Sequence, residues 1–141
     1  MKNLITILIL FFFACIGSCT LETSDNGDLD GNWQLMSIDS IGNGKTADMK
    51  DYRIFYAVQF RLINVKAYNY SSYGDYYFHF EQTKDSLVLN ATQGDSGTEY
   101  KISDLRKFGL NSENEKFRII TLNSDKMILR SSLLNLYFRK F

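Results

Sequence analysis

Apolar and polar residues alternate along most of the chain. The alternation is clearest over residues 52–62, where Tyr52, Ile54, Tyr56, Val58, Phe60 and Leu62 share one parity and Arg53, Gln59 and Arg61 the other. Successive side chains of a strand point to opposite faces, so this run predicts a strand with one buried face. Similar runs are Trp33 to Ile41, Val65 to Tyr70, Tyr76 to Gln82, Leu87 to Ala91, Lys116 to Leu122, Lys126 to Ser131 and Leu134 to Phe141, with a short extra candidate at Tyr100 to Ile102. Turn-forming clusters separate them: Gly42-Asn43-Gly44, Ser71-Ser72-Tyr73-Gly74-Asp75, Thr83 to Ser86 and Asn123-Ser124-Asp125. Helical spacing occurs once, where Ser103 is placed as an N-cap, Leu105 and Phe108 follow at i and i+3, and Gly109 is the stop. The pattern predicts an all-β fold, an up-and-down antiparallel barrel of about eight strands with one short helix over a mouth. Such a barrel is either filled by its own side chains or holds one small ligand, and closure removes its sheet edges.

The start of the chain follows another logic. Met1-Lys2-Asn3 leads into the apolar run Leu4 to Ala14, which ends at Gly17-Ser18. That is too short for a membrane span of about 20 residues and has the form of a secretory signal. Ile16-Gly17-Ser18-Cys19 resembles the lipobox of bacterial lipoproteins. The resemblance implies that residues 1–18 are removed, that Cys19 is lipidated, and that the protein is lipid-anchored in the bacterial cell envelope, at the outer membrane. Cys15 leaves with the signal, so no free thiol remains for a disulfide or for catalysis. Residues 19–30 are polar and acidic and predict a flexible tether of roughly 15–20 Å, leaving residues 31–141 as the domain.

The whole chain has 16 basic and 16 acidic residues, and loss of Lys2 with the signal takes the net charge from 0 to −1. That balance gives no support for a nucleic-acid partner or a polybasic membrane patch.

Gly31-Asn32-Trp33 resembles the Gly-x-Trp that opens the lipocalin barrel, and Arg139 stands in the closing strand where that family places a cation over the tryptophan. The chain is similar, over residues 31–141, to the small lipocalin-like (calycin-type) domains of bacterial lipoproteins. The resemblance implies a non-catalytic binding protein without a cofactor, with Trp33 and Arg139 as a structural closure.

Several spellings of catalytic or metal chemistry fail on context. Gly94-Asp95-Ser96-Gly97 mimics a protease nucleophile segment, yet a nucleophilic serine needs a histidine oriented by a carboxylate. The one histidine, His79, sits mid-strand between Phe78 and Phe80, beside Glu81 on its own face, with no second histidine or cysteine to make a metal set. Asn26, Asp28, Asp30 and Gly31 match half of a calcium loop, but Ser37 stands where the bidentate glutamate belongs. Asn69-Tyr70-Ser71 and Asn90-Ala91-Thr92 spell N-glycan sequons, which carry little weight on the bacterial route that the lipobox implies, and Asp39-Ser40-Ile41 and Asp85-Ser86-Leu87 resemble the Asp-Ser-aliphatic acceptors of a bacterial O-glycosylation system, tripeptides short enough to recur by chance.

Seven of the nine tyrosines lie within residues 52–77, and Tyr68, Tyr70, Tyr73, Tyr76 and Tyr77 are interspersed with serine, glycine and asparagine. Binding loops use this mixture, because tyrosine gives rigid contact area with a polar tip. Two readings follow. In one, Tyr56, Val58, Phe60, Phe78, Phe80, Leu136 and Phe138 line a cavity for a small apolar ligand. In the other, the core is solid and the tyrosine-rich hairpin recognises a protein or a glycan.

Overall fold

The computed structural model describes residues 23–69, 75–92 and 99–141. The signal segment, Cys19, Tyr70, Tyr73 and the Gly94 to Gly97 segment lie outside them. Among the described residues nine strands form one antiparallel sheet: β1 (Gly31–Ser40), β2 (Thr46–Asp48), β3 (Ile54–Gln59), β4 (Leu62–Ala67), β5 (Tyr76–Gln82), β6 (Ser86–Ala91), β7 (Asn114–Leu122), β8 (Lys126–Arg130) and β9 (Leu134–Lys140). The order is β2-β1-β3-β4-β5-β6-β7-β8-β9, and a further β1–β9 pairing closes eight of the strands into a barrel. The ninth, β2, pairs only with β1. The long β1 serves three partners because a bulge between Leu35 and Ser37 bends it where the pairing changes. Among the described residues the one α-helical segment, α1 (Ile102–Leu105), runs into a 3-10 turn at Arg106–Phe108.

The interior is set by alternation. Ile54, Tyr56 and Val58 of β3, Ile63, Val65 and Ala67 of β4, Tyr76, Phe78 and Phe80 of β5, and Leu136 and Phe138 of β9 are all buried. Leu105, Phe108 and Leu110 close one mouth, each fully buried. Gly109 ends the helical segment with φ +84, a left-handed conformation that glycine adopts without a Cβ penalty. The helix begins at Ile102 after an extended Lys101, so the expected strand at Tyr100 to Ile102 and the Ser103 cap are both corrected.

Residues 52–62 do not form one strand. Lys50–Tyr52 is a 3-10 turn, β3 ends at Gln59, and Gln59 pairs with Leu62 around the two-residue turn Phe60-Arg61. Phe60 has φ +55, the left-handed value that tight hairpins require. The parity that joined Tyr52, Phe60 and Leu62 to the core positions is therefore a coincidence of spacing across two turns, and all three are exposed.

The expected tether folds from Ser24 onward. Gly27–Leu29 is a 3-10 turn, Leu29 is fully buried, and the Asp30 carboxylate accepts hydrogen bonds from Ser24 Oγ, the Asn26 backbone N–H and Asn26 Nδ2. Polar composition hid this because the segment is held by hydrogen bonds and one leucine instead of an apolar face. Burial alone would raise the Asp30 pKa, but the bonds from Ser24 and Asn26 and the nearby Lys140 outweigh it and hold the carboxyl below its ordinary value. Asp30 thus stabilises the fold above the unfolded carboxylate range, and that contribution is lost as pH falls through its lowered pKa.

Candidate functional site

The sheet places the expected interior residues on one side with one exception. Tyr56, Val58, Phe78, Phe80, Leu136 and Phe138 point inward and are buried, whereas Phe60, at the β3–β4 turn, is 44% exposed. The inward rings pack on one another. Tyr56 meets Phe138 edge-on at 4.9 Å, Tyr76 lies 5.4 Å from Phe108, and Phe78 meets Tyr100 at 5.6 Å. Tyr56 Oη donates to the Phe108 carbonyl at 2.6 Å, tying the wall to the segment that closes the mouth. Burial, with the neighbouring Glu115 charge, pushes the Tyr56 phenol well above its ordinary pKa, so it is a fixed donor.

Tyr68 and Tyr77 are exposed as the recognition reading expects, but Tyr76 is buried, because β5 starts at that residue and its parity turns the ring inward. His79 and Glu81 face solvent on the outer side of β5.

The closure is made by a different cation from the one expected. Trp33 is fully buried, donates Nε1–H to the Leu29 carbonyl at 2.8 Å, and has Lys140 Nζ over its ring at 4.7 Å. Register explains the shift by one residue: Trp33 pairs with Lys140, while Arg139 pairs with Gln34 and so stands on the outer face. Lys140 also donates to the Asp28 carbonyl at 2.9 Å.

On that outer face the structure assembles a cleft that the sequence did not announce. Gln34, Met36, Lys50, Asp51, Arg53, Asn69, Arg139 and Phe141 line a cavity of about 640 Å³. Gln34 is buried and its Oε1 accepts from Arg139 Nε at 3.1 Å and Nη2 at 2.9 Å, so a neutral amide orients the guanidinium without cancelling its charge. Arg53, at the C-terminal end of the Lys50–Tyr52 turn, lies 5.6 Å from the Tyr68 ring centroid, and Lys66 lies 5.0 Å from the same ring. Neither arginine makes an ion pair among the described residues, while Lys50 pairs with Asp48 at 3.6 Å in an exposed bridge. Asp51 is the single acid among the described lining residues, and its backbone carbonyl accepts from Asn69 Nδ2. The signal was weak because Gln34, Arg53 and Arg139 are far apart in sequence.

Glu115 is a second group that the alternation alone does not single out, although its parity with Phe117 and Ile119 places an acid on an apolar face. It is buried, and Oε2 accepts from the Asn111 N–H at 2.8 Å. Burial raises its pKa above the ordinary 4.5, opposed by backbone hydrogen bonds from Asn111 and Ser112. A raised folded pKa means that the stabilising contribution is full below the unfolded pKa and is lost as pH rises through the folded one. The gap in melting temperature between E115Q and the parent should therefore move in favour of E115Q as the pH rises from 4 to 7. Thermal melts across that range check it, and a gap independent of pH would count against a buried, reluctantly ionised Glu115.

The comparisons with known proteins agree with this architecture. Residues 12–141 match the family model described as a lipocalin-like domain. A lipocalin-like protein from Bacteroides uniformis superposes with a TM-score of 0.67 at 20% identity, over 82% of this chain and 100% of that chain. An uncharacterised protein from Bacteroides eggerthii superposes with a TM-score of 0.64 at 24% identity, over 79% of this chain and 98% of that one. No match was found among the curated proteins.

Proposed function

The chain belongs to the lipocalin-like domain family, and from that premise we propose that it is a non-catalytic binding protein, lipid-anchored in the bacterial cell envelope through Cys19, that takes an anionic small molecule in the outer cleft. The observation that carries this reading is the pair of guanidiniums, Arg139 and Arg53, without ion-pair partners among the described residues and set in one concave site beside a buried glutamine. Lys50, Arg53 and Arg139 outnumber the one acid, Asp51, in the lining; such an excess of cations in a cleft draws an incoming carboxylate or phosphate, and a guanidinium binds either in a bidentate fashion. Tyr68, 58% exposed and flanked by Arg53 and Lys66, extends the same face. Tyr68, the exposed start of the tyrosine-rich segment, thus adjoins the cleft, which suits an acidic sugar as well as a simple carboxylate. Support for the anchor comes from the lipobox at Ile16 to Cys19.

The competing site for a small apolar ligand, inside the barrel, is disfavoured by the ring-on-ring packing of Tyr56, Phe138, Tyr76, Phe108 and Phe78. Titration of the soluble form, residues 20–141, with phosphate, citrate and glucuronate by calorimetry separates the two. We expect R139Q and R53Q each to weaken the best anion by about tenfold, equal to 1.4 kcal/mol, and K116Q on β7 to leave it unchanged. An apolar molecule retained through purification from more than one host, with no anion bound, would overturn the reading.

A further inference from the structure

The turns of an up-and-down barrel alternate between its two ends, and the strand order fixes which turn lies where. Residues 24–31, the β3–β4 turn, the β5–β6 turn and the β7–β8 turn share one end; the β1–β2 connection, the residues after β4, α1 and the β8–β9 turn share the other. The chain enters at the first end and is pinned to its β3–β4 turn. Phe60 N–H donates to Ser24 Oγ at 2.7 Å, and Asn26 Nδ2 donates to the Phe60 carbonyl at 2.7 Å. Cys19 precedes Ser24 by five residues, a span of at most about 18 Å even when fully extended.

The turn held there is apolar on its outer side. Phe60 is 44%, Leu62 39% and Tyr77 37% exposed, and with Ala57, Gln59 and Asn64 they line a groove of about 210 Å³. Asn64 Nδ2 is buried beneath this surface without a hydrogen-bond partner. A left-handed φ is a position where glycine or asparagine is the default, yet an aromatic residue occupies it, followed by Arg61. An exposed aromatic ring beside a cation suits the interface between acyl chains and headgroups. The neighbouring turns carry Lys84, Asp85, Asp125 and Lys126, both signs together, so the contact does not depend on anionic lipid.

We infer that Phe60, Leu62 and Tyr77 form a membrane contact that seats this end of the barrel in the lipid interface, an inference that rests on the anchoring at Cys19 proposed above. The short lead from the anchor brings the apolar turn to the bilayer, and the ring enters by ~5–10 Å, the depth of an interfacial apolar face. The opposite end, with α1 and the start of the tyrosine-rich segment, then points away from the membrane.

The test uses the full-length chain produced in a bacterial host and reconstituted in phosphatidylcholine vesicles, with and without bromine on the acyl chains. Trp33 is fully buried and supplies a constant background. In F60W, and in Y77W as a second reporter should the turn not tolerate indole, the added emission should fall about twofold in brominated vesicles, as interfacial depth requires. N43W, in the turn at the far end, should be unaffected. Lipid found on Cys19 by intact mass, with F60W and Y77W quenched no more than N43W, overturns the membrane contact alone. Absence of lipid on Cys19 overturns the anchoring reading and the contact with it.

Discussion

Replacing Trp33 by alanine is expected to cost about 3–5 kcal/mol, the range for truncating a fully buried large aromatic. A domain of this size has ~5–15 kcal/mol in all, so W33A should be the most damaging of the substitutions considered and should unfold in mild denaturant. The indole fills the end of the barrel where the chain enters, and its Nε1–H satisfies the Leu29 carbonyl, which the same substitution would leave buried and unpaired. W33F separates the two effects, since it keeps most of the volume and loses the hydrogen bond, at about 1–3 kcal/mol. K140M probes the cation over the ring and should cost only about 0.5–1 kcal/mol. Urea denaturation of the three variants checks the order. If K140M proved as costly as W33A, the closure would be electrostatic, and the role assigned to the indole volume would be wrong.

Gly109→Ala should cost about 2–4 kcal/mol from two additive causes. Its φ of +84 places any Cβ in a strained conformation, and the added carbon would stand 2.6 Å from Leu136 Cδ2 and 3.2 Å from Cδ1. Leu136 is fully buried in β9, so it cannot move aside without disturbing the core. A double-mutant cycle with L136A resolves the steric part: the pair should cost less than the sum of the singles by about 1 kcal/mol or more. Strict additivity would mean that backbone strain alone sets the cost.

How far these features were legible in the sequence depends on the distance over which each is encoded. Tyr76 to Gln82 shows its strand with identical bounds, because alternation is local and both flanks are turn-forming. Eight barrel strands follow from the same local signal, and Gly109 announces its stop through its residue type. Phe60 shares the parity of the core positions yet lies outside the core, because parity carries no mark of the two-residue turn that resets it. Arg139 and Lys140 cannot be told apart as partners of Trp33 from the sequence, because a one-residue register shift exchanges the inner and outer faces of β9, and register is settled by the partner strand. The cleft was illegible for the same reason at longer range: Gln34 and Arg139 are 105 residues apart and meet only when β1 pairs with β9. Leu29 and Asp30 show that an acidic, glycine-containing stretch can still belong to the folded unit when its polar groups satisfy one another.

The β1–β9 seam also dictates when the protein becomes safe from its neighbours. Until β9 pairs with β1 the folding chain has two raw sheet edges and no ring. The cleft cannot exist before that moment, since one of its guanidiniums arrives on the final strand. Folding should be slow for the domain's size because its decisive pairing joins β1 to β9, strands far apart along the chain.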